Sequence, residues 1–285
     1  MLPRTLCENL CSLNPSLDRL TFSVEWVMSP EGQVLNTWFG RSVICSATKL
    51  AYEHAQDMLD NPDKKWSENE LPPICQPWTA NVISKKVNML QELAVKLRSR
   101  RFENGALRLD QAKLCFSLDN ETGMPQGYKV YELRNSNRLI EEFMLLANIS
   151  VANKIQECFP GLAVLRCHPE PKQSILDRSV ELLQRFDINI DASSSRTLQD
   201  SLNHHKPNDE NDLLAAGRWQ VLMNVLTKPM KNAEYFCAGM RDKDDMDQFR
   251  HYALSVPLYT HFTSPIRRYP DVLVHRYVPN LFLNF

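Results

Sequence analysis

An α/β fold, in the form of a mixed sheet with surrounding helices, is predicted from two kinds of pattern along the chain. Residues 20–28 and 34–45 alternate between apolar and polar side chains on either side of the run Pro30-Glu31-Gly32, which is typical of a β-hairpin. Residues 84–102 and 137–159 instead carry apolar side chains at the spacing of an amphipathic helix. No internal repeat and no linker of distinct composition is visible, so we expect one domain.

The remaining elements follow from shorter patterns. We expect a helix over 47–59 and then a surface loop over 60–79, because prolines interrupt this charged stretch. A second hairpin is predicted from residues 112–118 and 128–134, around a turn between Asn120 and Gly127. Two further helices are predicted over 172–186 and 211–227, separated by the polar stretch 191–212.

The composition excludes several classes of protein. The chain has 285 residues, 43% of them hydrophobic and 24% charged, at a formal net charge of −1. That apolar share is enough for a sizeable core, which excludes a mainly disordered chain. No apolar run is long enough to cross a membrane, and acidic and proline residues near the N-terminus argue against a secretory signal. Because the net charge is near zero, any site for a polyanion must be local.

The cysteines are scattered along the chain, with no CxxC pair. This usage is typical of reduced thiols rather than of a disulfide framework or a structural zinc site. The combination of Cys158, Cys167 and His168 has no recognised zinc-ligand spacing. A zinc site there is therefore the least favoured alternative.

One local basic surface lies on the predicted helix over 84–102. Its polar side carries lysines and arginines against the single acidic residue Glu92. A solvated face of a core helix is the favoured interpretation, and a strip that faces phosphates is the alternative. The basic residues are Lys85, Lys86, Lys96, Arg98, Arg100 and Arg101.

A second basic segment, residues 250–276, carries the most informative chemistry. Ser264-Pro265 is typical of a helix N-cap followed by Pro at the first helical position, which would aim free backbone N–H groups at an anion. Arg267 and Arg268 would then stand beside that anion site, where a guanidinium can bind phosphate through two parallel hydrogen bonds.

The alternative interpretation of this segment is a capped core helix whose arginines pair with surface carboxylates. Pro270 would interrupt a helix that begins at Pro265, which would leave the arginines in a single turn ahead of a new helix. Aromatic residues, Tyr259 and Tyr269 among them, are interleaved with the charges and could stack on bases.

The run YTHFTSPIRRYPDVLVHR closely resembles the signature of the RNB family, the 3′→5′ exoribonucleases of the ribonuclease II and ribonuclease R type. Further stretches resemble successive pieces of that catalytic domain in the same order: LPRTLCENLCSLNP with DRLTFSVEW, GRSVICSATKLAYEHAQ, GALRLDQAKL and NRLIEEFMLLANISVANKI. The resemblance spans residues 1–276. It is greatest to the eukaryotic cytoplasmic branch that degrades 3′-uridylated RNA without an exosome.

The resemblance implies a cytoplasmic protein that acts on the 3′ end of single-stranded RNA, an oligouridylated end included, with no membrane and no obligate protein partner. Arg267 or Arg268 would stabilise charge on the scissile phosphate. Tyr52, with Glu141 or Glu142, would lie near the 3′-terminal nucleotides, where a carboxylate can accept a hydrogen bond from a 2′-hydroxyl. Without the resemblance, these three would be taken as ordinary helix residues. The other predicted RNA-binding residues are Ser264, Tyr259 and Tyr269.

The family's chemistry uses Mg²⁺, or Mn²⁺ in its place, held by an aspartate cluster of the form DxxxxxDxDD upstream of LPRTLCENL. We therefore expect residues 1–276 to form a partial RNB domain without this metal-binding segment, followed by a divergent tail over 277–285 in which Pro279 breaks the helix. We expect no metal ligands within the chain. The acidic run Asp242, Asp244, Asp245 and Asp247 has a different spacing and is interpreted as a solvated turn.

The predicted function is thus part of an RNB-type 3′→5′ exoribonuclease domain, which in the family hydrolyses RNA to nucleoside 5′-monophosphates and which we expect to be inactive on its own. One alternative is a non-catalytic RNA-binding or regulatory fragment, and another is an unstable product without function. Magnesium-dependent nuclease activity separates the first two. Soluble monomeric expression separates both from the third.

Overall fold

The computed structural model describes residues 2–277 apart from 112, 113, 120, 132, 208, 210, 211, 243 and 244. Within that part, β1 (Asp18–Met28) and β2 (Val34–Cys45) form a long antiparallel hairpin, as the alternating pattern predicts. In the turn between them, Gly32 has a φ of 78°, a conformation that residues with a side chain rarely adopt. Phe22 and Val24 pack from β1 against the core.

Three helices pack together next to this hairpin: α1 (Tyr52–Asp60), α2 (Ala80–Glu103) and α3 (Asn135–Cys158). The last two agree with their predicted spans to within a few residues. The hydroxyl of Thr79 accepts a hydrogen bond from the N–H of Val82 and so starts α2 earlier than predicted. The first helix begins at Tyr52 rather than at residue 47, because Ala51 is still extended.

A second group of helices forms its own hydrophobic cluster. The predicted helices are present as α4 (Gln173–Gln184) and α6 (Leu213–Thr227). Between them, α5 (Ser195–His205) lies inside the stretch that the sequence analysis leaves as a polar connection. Ser194 caps this helix, and Leu198 and Leu202, one helical turn apart, are fully buried against its neighbours.

The α/β class is confirmed, but the described strands form three two-stranded antiparallel sheets rather than one mixed sheet. Besides the first hairpin, β3 (Leu114–Leu118) pairs with β4 (Pro125–Val130), and β5 (Val164–Cys167) pairs with β6 (Glu234–Cys237). The last pair is too short to show an alternating pattern in the sequence. Each described strand therefore has a single partner, and these pairs leave no continuous sheet.

The second hairpin turns earlier than predicted. The carboxylate of Asp119 accepts hydrogen bonds from the backbone N–H groups of Glu121 and Thr122 at 2.9 and 2.7 Å, which closes a tight turn. The returning strand therefore begins at Pro125 instead of residue 128.

A final helix, α7 (Tyr269–Tyr277), is anchored on the core by Val274, whose side chain is fully buried with Val151 and Ile155 of α3. This anchor holds the preceding turn, which carries Arg267, close to α3. None of the helices in the described ranges has the length and apolar character needed to span a bilayer. Residues 278–285 of the predicted tail, with Pro279, lie outside the described residues, as does Asp244.

Candidate functional site

An open cleft of about 990 Å³ lies between α3, the start of α1 and the second hairpin. Its polar lining comes from three distant parts of the chain: Tyr52 from α1, Asn137 and Glu141 from α3, and Arg267 from the turn before α7. The rest of the lining is apolar or aromatic and consists of Leu114, Cys115, Tyr131, Leu133, Ile140 and Met144. A cleft with an apolar wall and a few convergent polar groups is the usual form of a ligand site.

The two adjacent arginines of the signature run have different surroundings. Arg267 is exposed and lines the cleft, and its Nη2 lies 3.3 Å from the hydroxyl of Ser264. Arg268 is turned inward, where its Nε and Nη2 donate to the carboxylate of Asp271 at 2.9 and 2.8 Å. Asp271 has no exposed surface, so this pair is part of the fold. Arg267 is therefore the arginine available to a ligand.

The predicted helix start at Ser264-Pro265 is wrong. The helix begins at Tyr269, and Ser264 opens a single turn that precedes it, which is the arrangement anticipated from Pro270. The backbone N–H of Ser264 donates to the carboxylate of Asp271 at 2.7 Å. This N–H group is consequently already paired and cannot bind a phosphate.

The neighbouring glutamates are also separated by the structure. Glu142 is 3% exposed, and its carboxylate accepts hydrogen bonds from Arg101 at 3.0 and 2.5 Å and from Arg98 at 3.4 Å. It joins α3 to α2 inside the protein. Glu141 keeps 36% of its side chain exposed and faces the cleft. Of the two, only Glu141 can contact a ligand in the cleft.

The predicted aromatic residues lie in three different places. Tyr52 lines the cleft with 45% of its surface exposed. Tyr259 is 4% exposed, and its hydroxyl accepts a hydrogen bond from Asn148 at 3.0 Å, while burial raises the pKa of its phenol. A ring in that position cannot stack on a base, so the RNA-binding role predicted for Tyr259 does not fit the structure. Tyr269 is 66% exposed but does not line the cleft.

The basic strip of α2 largely serves internal contacts. Lys96 donates to the carbonyl of Pro30 at 2.6 Å, and Arg100 donates to the carbonyls of Glu31 and Gly32 at 3.0 Å. Arg98 and Arg101 pair with Glu142, as described above. These four residues hold the first hairpin and α3 on α2. Lys96 remains exposed, as expected of a solvated face, whereas Arg98 and Arg101 are turned toward the buried Glu142. Lys85 and Lys86 are exposed.

The histidines of segment 250–276 do not add positive charge at neutral pH. Burial, reinforced by the positive charges of neighbouring side chains, lowers the pKa of His251 to about 3 and that of His261 to about 4. His261 accepts a hydrogen bond at Nδ1 from the hydroxyl of Tyr235 at 2.5 Å, as a neutral imidazole can. Among the described residues that line the cleft, Arg267 carries the permanent positive charge.

Several residues of the site were not identified from the sequence. Asn137 lines the cleft, and Asp271 fixes the turn that carries Arg267. Arg108 lies 3.7 Å from Glu141 through its Nη1. The sequence contained one signal for Arg108, since it belongs to the quoted GALRLDQAKL stretch, but nothing in the sequence related that stretch to α3.

The described residues include no group of three or more His, Cys, Asp or Glu side chains placed to hold a metal ion. Hard cations such as Mg²⁺ need several oxygen ligands that converge on one point. The residues described here do not fit such an ion, so none of the roles below involves a metal. In the run that begins at Asp242, the carboxylate of Asp245 accepts a hydrogen bond from Gln248 at 2.8 Å.

Comparison with known protein families shows to which family the chain belongs. The model of the RNB domain matches residues 1–283. The chain belongs to the RNB family. This RNB chain is 53% identical over 276 residues to DIS3-like exonuclease 2 of Xenopus tropicalis and 42% identical over 276 residues to a protein named inactive exonuclease DIS3L2 of Arabidopsis thaliana.

The RNB assignment extends to the fold. Mycoplasma genitalium RNase R, solved in complex with double-stranded RNA, superposes with a TM-score of 0.79 at 23% identity, over 99% of this chain and 45% of that one. At this identity the likeness concerns the fold alone. The RNB chain described here matches the two sequence relatives over 97% of its own length but over only 32% and 26% of theirs.

Proposed function

We propose that this chain forms the part of a 3′→5′ exoribonuclease domain that holds the 3′ end of single-stranded RNA. The observation that supports this proposal is the convergence of Tyr52, Glu141 and Arg267 on one cleft. The same three residues belong to the stretches that resemble the RNB family. Their side chains supply the chemistry that an RNA end requires, namely a ring face, a hydrogen-bond acceptor and a fixed positive charge.

Each of the three side chains has a distinct proposed task. Arg267 binds the phosphate nearest the 3′ end and stabilises the charge that grows on it during hydrolysis. The carboxylate of Glu141 accepts a hydrogen bond from a ribose hydroxyl, which distinguishes RNA from DNA. The ring of Tyr52 stacks on a terminal base, and the apolar wall of the cleft excludes water beside it.

The full reaction is proposed for the longer protein in which such a domain works. There, hydrolysis of the terminal phosphodiester would release nucleoside 5′-monophosphates, and a divalent cation would belong to that chemistry. We further propose a cytoplasmic protein that prefers oligouridylated 3′ ends, a preference suggested by the branch of the family that the sequence most resembles.

A second candidate function is a non-catalytic RNA-binding module. Two observations favour it: the described residues bring together no cluster of metal ligands, and one relative at 42% identity is named an inactive exonuclease. An enzyme and a binding module would use the same cleft. They differ in whether the bound RNA is degraded.

A photocrosslinking experiment tests the proposed site. A single-stranded RNA with 4-thiouridine as its 3′-terminal nucleotide is bound to the chain and irradiated, and the crosslinked peptide is identified by mass spectrometry. We expect the label on peptides that line the cleft, around Tyr52 or Tyr131. Label on α4 to α6 would overturn the proposed site.

A degradation assay on the same RNA then separates the two candidate functions. The chain is incubated with a labelled RNA ending in uridine, with Mg²⁺ or with a chelator. If the chain binds this RNA but releases no nucleoside monophosphates above a heat-inactivated control, the chain by itself is a binding module. Mg²⁺-dependent release would instead establish an active nuclease.

A further inference from the structure

Arg108 is a partly buried arginine beside the cleft to which the proposed function assigns no task. It lies between α2 and β3, with 18% of its side chain exposed. Its backbone N–H donates to the side-chain carbonyl of Gln199 at 2.7 Å, and its Nε donates to the carboxylate of Asp110 at 2.5 Å. The first contact holds the backbone of Arg108, and the second holds one edge of its guanidinium.

One end of this guanidinium remains available. Its Nη1 has almost no contact with solvent and no hydrogen-bond partner among the described residues. This end of the guanidinium faces the carboxylate of Glu141, whose Oε2 lies 3.7 Å from Nη1. At that separation the two groups attract each other as an ion pair, but they form no hydrogen bond with each other.

Arg101, the other arginine near Glu141, has no comparable free donor. Arg101 lies 3.8 Å from Glu141 through Nη2, but that same Nη2 and its Nε already bind Glu142 at 2.5 and 3.0 Å. A two-point contact with a buried carboxylate commits the guanidinium. Arg108 is therefore the cation whose remaining donor faces Glu141.

The carboxylate of Glu141 combines two properties that suit a ligand contact. Its negative charge lies 3.7 Å from Nη1 of Arg108, while within the described structure its oxygens accept no hydrogen bond. A carboxylate with free lone pairs at the wall of a cleft is ready to accept hydrogen bonds from ligand hydroxyls. If the positive charge is lost, the carboxylate is free to turn toward solvent or toward Arg101.

We propose that Arg108 is a positioning residue for Glu141 and that it thereby sets the preference of the cleft for a ribose over a deoxyribose at the 3′ end. This inference rests on the proposed function, in which Glu141 contacts a ribose hydroxyl. Arg108 itself touches no RNA. It acts through the carboxylate, so its effect must depend on the 2′-hydroxyl of the ligand.

The test compares two oligonucleotides that differ in a single atom. Binding of a single-stranded RNA is measured by fluorescence anisotropy, and so is binding of the same RNA with a 2′-deoxynucleotide at its 3′ end. The ratio of the two dissociation constants is recorded for the chain and for Arg108→Gln, Arg108→Lys and Glu141→Gln. Arg178→Gln serves as the control that also removes one positive charge, since Arg178 is exposed on α4, which packs on α6.

We expect the unaltered chain to favour the ribose end by about tenfold, the value of one hydrogen bond to a charged group. Arg108→Gln should reduce this ratio to near one, whereas Arg108→Lys should restore part of it and Arg178→Gln should leave it unchanged. Loss of RNA binding to both ends alike, or an unchanged ratio in Arg108→Gln, would overturn the inference. Thermal unfolding of each variant identifies a folding defect. If Arg108→Gln is destabilised, the ratio measured for Arg108→Lys decides whether the charge of residue 108 sets the ribose preference.

The outcome for Glu141→Gln separates this inference from the proposed function. A ribose preference that Glu141→Gln abolishes and Arg108→Gln retains would refute the role of Arg108 alone. An unaltered chain with no preference for the ribose end would refute the contact proposed for Glu141, and the role of Arg108 with it.

Discussion

The carboxylate of Asp271 lies entirely inside the protein, and Arg268 donates two hydrogen bonds to it, at 2.9 and 2.8 Å. The same carboxylate accepts the backbone N–H of Ser264 at 2.7 Å, so it ties the turn that carries Arg267 to the first turn of α7. Two arginines that are adjacent in the sequence therefore serve different purposes. One maintains the turn, and the other extends from it into the cleft.

Replacing each of these arginines by alanine should separate stability from binding. Arg268→Ala leaves the buried carboxylate of Asp271 without its cation, which should lower the free energy of unfolding by about 3–5 kcal/mol. Arg267→Ala removes an exposed side chain and should change that free energy by less than about 0.5 kcal/mol. Urea denaturation followed by intrinsic fluorescence measures both values. Similar losses in the two variants would contradict this division.

RNA binding should show the opposite order. Arg267→Ala should weaken binding to single-stranded RNA and reduce the slope of log affinity against log salt by about one, because one phosphate contact is lost. In a longer protein with nuclease activity, it should reduce turnover by about a hundredfold, as the loss of one preorganised donor does. Anisotropy titrations at several salt concentrations provide the slope. An unchanged slope would exclude Arg267 as a phosphate contact.

The two neighbouring glutamates offer a matched pair for a test of stability. Glu142→Gln leaves Arg98 and Arg101 partly buried without a counter-charge, and should lower the free energy of unfolding by about 3–5 kcal/mol. Glu141→Gln removes only ion pairs longer than 3.5 Å at a half-exposed site and should lower it by less than about 1 kcal/mol. Chemical denaturation of both variants under identical conditions gives the comparison. Equal losses in the two variants would mean that the buried ion pairs of Glu142 stabilise the fold no more than the longer ion pairs of Glu141 do.

The pH dependence of stability should report the buried histidine His251. Burial lowers its pKa to about 3 in the folded protein from an ordinary value near 6.5, so the unfolded chain binds the proton first as the pH falls. The free energy of unfolding should therefore decrease between about pH 6.5 and pH 3, by ~1.4 kcal/mol per pH unit for this residue. Stability above pH 6.5 should not depend on this group.

The variant His251→Asn isolates that contribution. The amide oxygen of Asn can accept the hydrogen bond from the N–H of Leu254 that the imidazole accepts at 3.3 Å, but it does not titrate. Denaturant unfolding at half-unit steps from pH 7 to pH 4 should show a shallower decline in the variant, by about one proton. If the free energy of unfolding declines with the same slope in both proteins, His251 is not the group responsible for this pH dependence.

A pair of glycine substitutions should change stability in opposite directions. A methyl group at Gly239 would collide with the backbone carbonyl of Gly161, so Gly239→Ala should lower the free energy of unfolding by roughly 1–3 kcal/mol. Gly217 lies within α6 with open space around it, and Gly217→Ala should raise stability by up to about 1 kcal/mol through helix propensity. Thermal melts of both variants provide the measurement. If Gly239→Ala leaves the melting temperature unchanged, the backbone segments around Gly239 and Gly161 can move apart at little cost.

The main helices and the first hairpin could be predicted from the sequence, because their apolar periodicity extends over many residues. The capped helix α5 was missed, since only Leu198 and Leu202 mark its buried side within a polar stretch. The burial of Glu142 also had a local signal, because it lies three residues after the buried Leu139 and therefore on the same stripe of α3. What no local pattern contained was the presence of Arg98 and Arg101 opposite that stripe.

The sequence by itself determined the α/β class, the family and the set of residues from which a site could be built, since these depend on periodicity and on motifs that are contiguous in the chain. Only the tertiary structure decided which of the two adjacent arginines and which of the two adjacent glutamates faces the cleft. The reason is physical: a charged side chain is buried only where partners compensate its lost hydration, and those partners come from remote segments. Arg268 and Glu142 have such partners inside the fold, and Arg267 and Glu141 are left to face the cleft.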